Sequence, residues 1–205
     1  AALFRADHQE IDHPTGSTYG PDACIASMQR LFRSNHPYYE TEPIASLGEF
    51  LLLLRRRSGA GGASSRRYDV GAYENEAFQL LEVDEHGLCH RSEVFAADRL
   101  GDAIARLYAR HAELLPEGPE HSRAAATARS LGTMMSSPNP LDRVATVLAP
   151  DFVSIDYRPL STWSLRGAAE FLEHMRALHE VADDVVMSAT DVLALHRVTR
   201  IHARG

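Results

Sequence analysis

The chain has 205 residues, 44% apolar and 24% charged, the balance of a globular protein large enough to bury a core. A net charge of −7, with all 21 basic residues arginine, argues against general nucleic-acid affinity, which needs a basic surface. No apolar run approaches the roughly 18 residues of a membrane-spanning helix, and the opening "AALFRADHQE" lacks the basic start and apolar stretch of a secretory signal.

The first strand-like stretch is "HQEIDH" at 8–13, followed by a polar turn. Gly20–Pro21 then starts an amphipathic helix, proline suiting a first position whose N–H would be unpaired in any case. Cys24, Ile25, Met28, Leu31 and Phe32 recur along it at helical spacing. "IASLGEFLLLLRRR" reads as one strand and "SRRYDVGAYENEAFQLLEV" as its hairpin partner across the loop "SGAGGASS". "VDEHG" is a second turn and "LCHRSEVF" a further strand. Asp98 is expected to cap a helix whose Leu100, Ile104, Leu107, Tyr108, His111 and Leu115 share a stripe, stopped by "LPEGPE". An alanine-rich helix over about 121–135 follows, then a short one after Asn139–Pro140 carrying Leu141, Val144 and Leu148.

The opening plan then returns. "SIDYRPLSTWSLRGAAEFLEHMRAL" restates "EIDHPTGSTYGPDACIASMQRL": Ile155 matches Ile11, Asp156 matches Asp12, Thr162 matches Thr18 and Trp163 matches Tyr19, at an offset of 144 (156 − 12). Three extra residues, Ser164 to Arg166, raise the offset to 147 (167 − 20), where Gly167 meets Gly20. Phe171, Leu172, Met175 and Leu178 then fall on Cys24, Ile25, Met28 and Leu31. Two agreeing stripes predict two incomplete tandem copies. Residues 1–118 form copy one, without helices ahead of its first strand, and residues 119–205 form copy two, ending in the long strand "VVMSATDVLALHRVTRI". Such a chain is expected to be a fragment of a longer protein.

Two short helices, a strand ending in "DFVSIDYRPL", an aromatic turn and the helix "GAAEFLEHMRAL" resemble the SnoaL-like branch of the nuclear transport factor 2-like superfamily. The turn and the ending "FAADRLGDAIARLYARHAELLPEGPE" look similar to tandem modules at the end of large actinobacterial regulatory proteins, linked to ATPase or nucleotide-cyclase domains. The resemblance implies an α+β fold, a cone-shaped curved antiparallel sheet packed on helices. It spans polyketide cyclases, isomerases, dehydratases and non-catalytic binding or dimerisation modules, so fold alone decides no chemistry.

Alternation puts Gln9, Ile11 and His13 on one strand face, and Val153, Ile155 and Tyr157 on its counterpart. The apolar character of the second set marks that face as inward, so His13 and Tyr157 are expected to point into the cone. Asp12 and Asp156 then accept backbone N–H groups in the turn, with an Asp12–His13 acid–base pair as the catalytic alternative. Tyr19 and Trp163 cap the apolar end or stack on a ligand. These six residues are the candidate ligand contacts; no catalytic residue is assigned. His8, Glu10 and Asp12 share the other strand face, where copy two offers Phe152, Ser154 and Asp156.

Glu49, Tyr73, His90 and Glu93 are expected on a solvated outer face, and Arg55–Arg57 with Arg66–Arg67 at a solvated hairpin tip. "GAGG" lacks the helix and lysine of a phosphate loop, and the eleven histidines show no metal-ligand spacing. No metal or cofactor is expected. Cys24 and Cys89, far apart, read as buried thiols of a reduced, cytoplasmic setting. The expected function is a non-catalytic small-molecule-binding or interaction module of a larger regulatory protein. Its partners would be an apolar small molecule, a second copy or neighbouring domains, with no nucleic acid and no membrane. A cofactor-free cyclase, isomerase or dehydratase is the alternative, and a dimerisation unit the third.

Overall fold

The computed structural model describes residues 3–64, 69–135, 141–156 and 163–181. The first strand, β1 (Phe4–Asp12), turns back into β2 (Ser17–Tyr19). Asp12 Oδ1 accepts the Thr15 N–H at 3.0 Å, and Gly16, at φ 67°, supplies the left-handed step that a side chain would resist. Gly20 leads into α1 (Pro21–Phe32). The stretch read from the sequence as one strand is two. β3 (Tyr38–Leu47) and β4 (Leu51–Ala60) fold against each other about a turn at Gly48, whose φ is also 67°.

A small ladder, β5 (Ala63–Ser64) with β6 (Asp69–Val70), precedes β7 (Tyr73–Val83), the hairpin partner of β4. In the next turn Asp84 Oδ1 accepts the N–H groups of His86 and Leu88, both at 2.9 Å, as an aspartate does when it substitutes for a backbone acceptor. β8 (Cys89–Ala96) follows, then α2 (Leu100–Leu114), α3 (Pro119–Met135) and α4 (Leu141–Ala145). A short antiparallel pair, β9 (Val153–Ile155) and β10 (Ser164–Arg166), leads into α5 (Gly167–Val181). Asp98 does not cap α2: Arg99 occupies the N-cap, without a side-chain capping hydrogen bond.

Six strands form one curved, unclosed sheet in the order β2-β1-β8-β7-β4-β3. Neighbours are antiparallel except β1 and β8, which run parallel, so the sheet is mixed. The fold is α+β, a curved sheet packed on helices, as expected.

One face of the sheet carries Leu51, Leu53, Phe78, Leu80 and Phe95 against Leu100, Ala103, Ile104, Leu107 and Tyr108 of α2. The helix buries the stripe that its periodicity announces, and α3 closes over it with Leu131, Ala128 and Met135. α3, which the sequence reading assigns to a second copy, is thus part of the core built on the six-stranded sheet. Close approach of the two helices depends on Gly101, where a Cβ would come 2.5 Å from the Met135 carbonyl oxygen. The opposite face is covered near β1 by α1, whose Cys24 is buried.

A second core gathers Val144, Leu165, Phe171, Leu172 and Met175 with Leu141, Leu148, Phe152 and Trp163. The three apolar side chains expected on the short helix, Leu141, Val144 and Leu148, all belong to it. The last long strand expected from the sequence lies outside the described residues.

Candidate functional site

Cross-strand register decides which side chains of β1 face which helix. Ile11 pairs with Glu93, and Glu93 with Leu80, on the α2 side; Glu10 pairs with Ser92, and Ser92 with Leu81, on the other. Both sheet faces are covered, so a single inward face does not exist here. His13 lies on the α2 side, its ring stacked on Phe95 at 4.4 Å and its Nε2 3.0 Å from Glu93 Oε2. Asp12 is in its turn, bonded to the Thr15 amide.

The remaining sequence-named residues do not converge on these two. Tyr19 ends β2 and is exposed. Trp163 precedes β10 and packs in the second core, its ring 4.9 Å from that of His174. The two aromatics therefore hold different places in their hairpins: counted back from the matching glycines Gly20 and Gly167, Tyr19 corresponds to Arg166, the last residue of β10. The backbone N–H of Asp156 donates to the Trp163 carbonyl at 3.3 Å, closing the β9–β10 pair. Tyr157 lies outside the described residues, as do Arg66 and Arg67.

Glu93 is a correction to the sequence reading. It is buried, at 1% exposure, not solvated. Arg106 of α2 reaches both its oxygens through Nε at 3.0 Å, and Arg91 donates to Oε1 at 2.9 Å. Burial works to raise the Glu93 carboxyl, but hydrogen bonds from Arg106, His13 and Arg91 outweigh it and hold the group down at about 2. Glu82 is buried beside it and takes a two-pronged bond from Arg110, with His90 at 3.2 Å. Glu113 joins Arg106 to Arg110 at 2.7 and 2.8 Å. This lattice ties α2 to β7 and β8 and leaves no unpaired acid for catalysis among its members. Arg55 and Arg57 are likewise paired, with Glu42 and Glu76. Tyr73 is exposed.

On the α1 side a second polar group forms. Glu10 Oε2 accepts from Gln79 Nε2 at 3.1 Å and from Ser92 Oγ at 3.2 Å. His8, at 1% exposure, stands 3.5 Å from the Ser92 hydroxyl and against the ring of Phe4 at 4.4 Å. Burial pushes the His8 imidazole below its usual value, with Glu10 partly opposing. Burial likewise raises the thiols of Cys24 and Cys89 to about 11, so both stay protonated and inert near neutral pH. Sequence reasoning placed His8 and Glu10 on one face but had no signal for Gln79 and Ser92, which come from distant strands.

The cavity beside this group is apolar. It holds about 520 Å³ between the start of β1 and α1, lined by Leu3, Phe4, Ile25, Met28, Phe32 and, as its polar members, Gln29 and Arg33. Of the predicted stripe on α1 only Cys24 is buried; Ile25 and Phe32 are 43% and 55% exposed. Among the described residues no three His, Cys, Asp or Glu side chains are grouped to hold a metal ion. None of the described helices is long and apolar enough to cross a membrane.

No protein-family model matches the chain, and no curated protein matches it. Several solved structures resemble part of it. One is an NTF2-like protein of unknown function from Exiguobacterium sp. 255-15, with 12% identity, 45% of this chain, 75% of that one and a TM-score of 0.34. A phenazine biosynthesis-related protein from Pseudomonas aeruginosa has 18% identity over 45% of this chain and 64% of its own, at a TM-score of 0.36. A candidate polyketide cyclase from Xanthomonas campestris pv. campestris has 14% identity over 51% and 79%, at 0.35. The neighbours are of the kind named by the sequence resemblance. At such low scores the likeness carries no argument about chemistry or partners.

Proposed function

We propose that the chain is a non-catalytic binding module of a larger regulatory protein, and that its binding surface is the apolar groove between β1 and α1. The observation that carries this is the chemistry of the lining. Its five apolar side chains leave only Gln29 and Arg33 as polar members, and neither exchanges a proton near neutral pH. A groove so lined can hold an apolar surface by burial but offers no acid or base to transform it. The repeated hairpin-and-helix plan supports tandem SnoaL-like copies, and the two free buried thiols suit a reducing, cytoplasmic setting.

The test is titration with an apolar fluorescent dye such as anilinonaphthalene sulfonate. One saturable site is expected, weakened at least tenfold by Ile25→Glu; a tenfold loss equals about 1.4 kcal/mol. A dye response that ignores this substitution would sink the proposal.

A second reading rests on Glu10. A carboxylate oriented by an amide and a hydroxyl beside a buried histidine is a candidate proton-transfer group for a cofactor-free isomerase or cyclase. Turnover of a carbonyl substrate lost in Glu10→Gln would favour it. Unchanged proton exchange next to the carbonyl of model ketones would favour the binding module.

A further inference from the structure

The two hairpin-and-helix units differ in what lies on their helices. At the offset of 147, Leu172 and Met175 of α5 stand where Ile25 and Met28 stand on α1. On α5 both are buried, at 7% and 5%, and the cover comes from Leu141, Val144 and Leu148 on and just after α4. On α1 the same positions line an open groove, with Ile25 43% exposed. A helix stripe that is capped in one unit is bare in the other.

From this difference we infer that the groove on α1 is the docking site of a short amphipathic helix patterned like α4, with apolar side chains at spacings of three and four residues. This rests on reading the groove as the binding surface, and names its occupant. The fit is chemical as well as positional. α4 and the turn just after it present Leu141, Val144 and Leu148, and the cavity of about 520 Å³ is of the size such side chains fill. Arg33 stands at the rim of the groove, so the occupant carries an acidic residue at its border to meet that charge.

The experiment uses the whole chain and a synthetic peptide of its residues 138–150, "PNPLDRVATVLAP". A control peptide carries L141S, V144S and L148S. Amide chemical shifts and displacement of the apolar dye are followed together. The expected result is perturbation of Leu3, Ile25, Met28 and Phe32, with dye displaced by the peptide, not by the control, and at least tenfold weaker in Phe32→Glu. Phe32 is exposed, so that substitution leaves the fold intact, and an unchanged far-ultraviolet signal of the sheet checks this.

Four outcomes overturn the inference. Dye that binds the groove while the peptide fails to displace it leaves the binding surface standing but gives it a small apolar ligand. Shifts confined to α5 show the peptide competing with α4 instead. A concentration-dependent dimer that Ile25→Glu disperses assigns the groove to a second copy. Failure of the dye itself removes the groove reading, and the inference with it.

Discussion

Glu93 shows how a single side chain can hold a fold together while looking catalytic. It is buried, carboxylic and next to a histidine, yet Arg106, Arg91 and His13 consume its oxygens. Glu93→Gln should destabilise the protein by about 1–3 kcal/mol in urea unfolding, because it removes the buried charge that the half-buried Arg106 and Arg91 share, although Arg106 keeps Glu113. The pH dependence follows from the sign of the shift. A carboxyl held at about 2 when folded, against 4.5 otherwise, contributes stability that is complete above pH 4.5 and is lost as the pH falls toward 2. The Gln variant should show a flatter stability profile across that window. His8 adds an earlier step: its depressed value means that stability begins to fall as the pH drops below its ordinary value of 6.5. His8→Gln, which cannot take up the proton, should remove that first step. An unaltered profile would show that another group is responsible.

Elements meet in this protein through small, checkable contacts. Gly101 lets α3 approach α2, so Gly101→Ala should cost about 1–3 kcal/mol through the clash with the Met135 carbonyl, read as a lowered denaturation midpoint. The turn before β8 relies on Asp84. Asp84→Ala removes the acceptor of two backbone N–H groups and should cost about 1–2 kcal/mol, read as a lowered denaturation midpoint. Elements with a clean apolar period were legible in the sequence: α2, α4 and the β7–β8 hairpin, with α3 legible from its alanine content. β3 was legible only at its end, because its first half, "YYETEP", is an edge whose glutamates and proline resist further pairing and blur the alternation. Asp98 looked like a cap, but local chemistry does not fix the residue at which a helix starts. Glu93 was misread as solvated because its partner Arg106 lies on a helix that alternation along one strand cannot see. The same limit hid the Glu10 group, since a sheet covered on both faces violates the rule of one wet side.

At the scale of the whole molecule, the described residues form two cores, one between the six-stranded sheet and α2–α3, the other around α4 and α5. Two cores predict two unfolding events. Leu165→Asp places a charge at a 7% exposed site and should collapse the second core, red-shifting Trp163 emission. The far-ultraviolet signal of the sheet should persist to a higher urea concentration. Coincident loss of both signals in wild type and variant would mean that the cores unfold as one. Matching stripes in the sequence suggested two copies, but that α3 would join the core of the six-stranded sheet was not legible, because a helix rich in alanine and polar residues does not announce which neighbour it covers.

The parallel pairing of β1 with β8 also sets an order of events during synthesis. Ile11 meets Glu93 only after 82 further residues have been made (93 − 11). At about 5–20 residues per second that is a wait of roughly 4–16 s on the ribosome, during which the first strand and the apolar stripe of α1 have no sheet to join. The hairpin of β4 and β7 can close in the meantime, from local contacts alone. The N-terminal strand is therefore the last-docked piece of the sheet, and the nascent chain depends on its own later sequence, or on a chaperone, to hide what it exposes first.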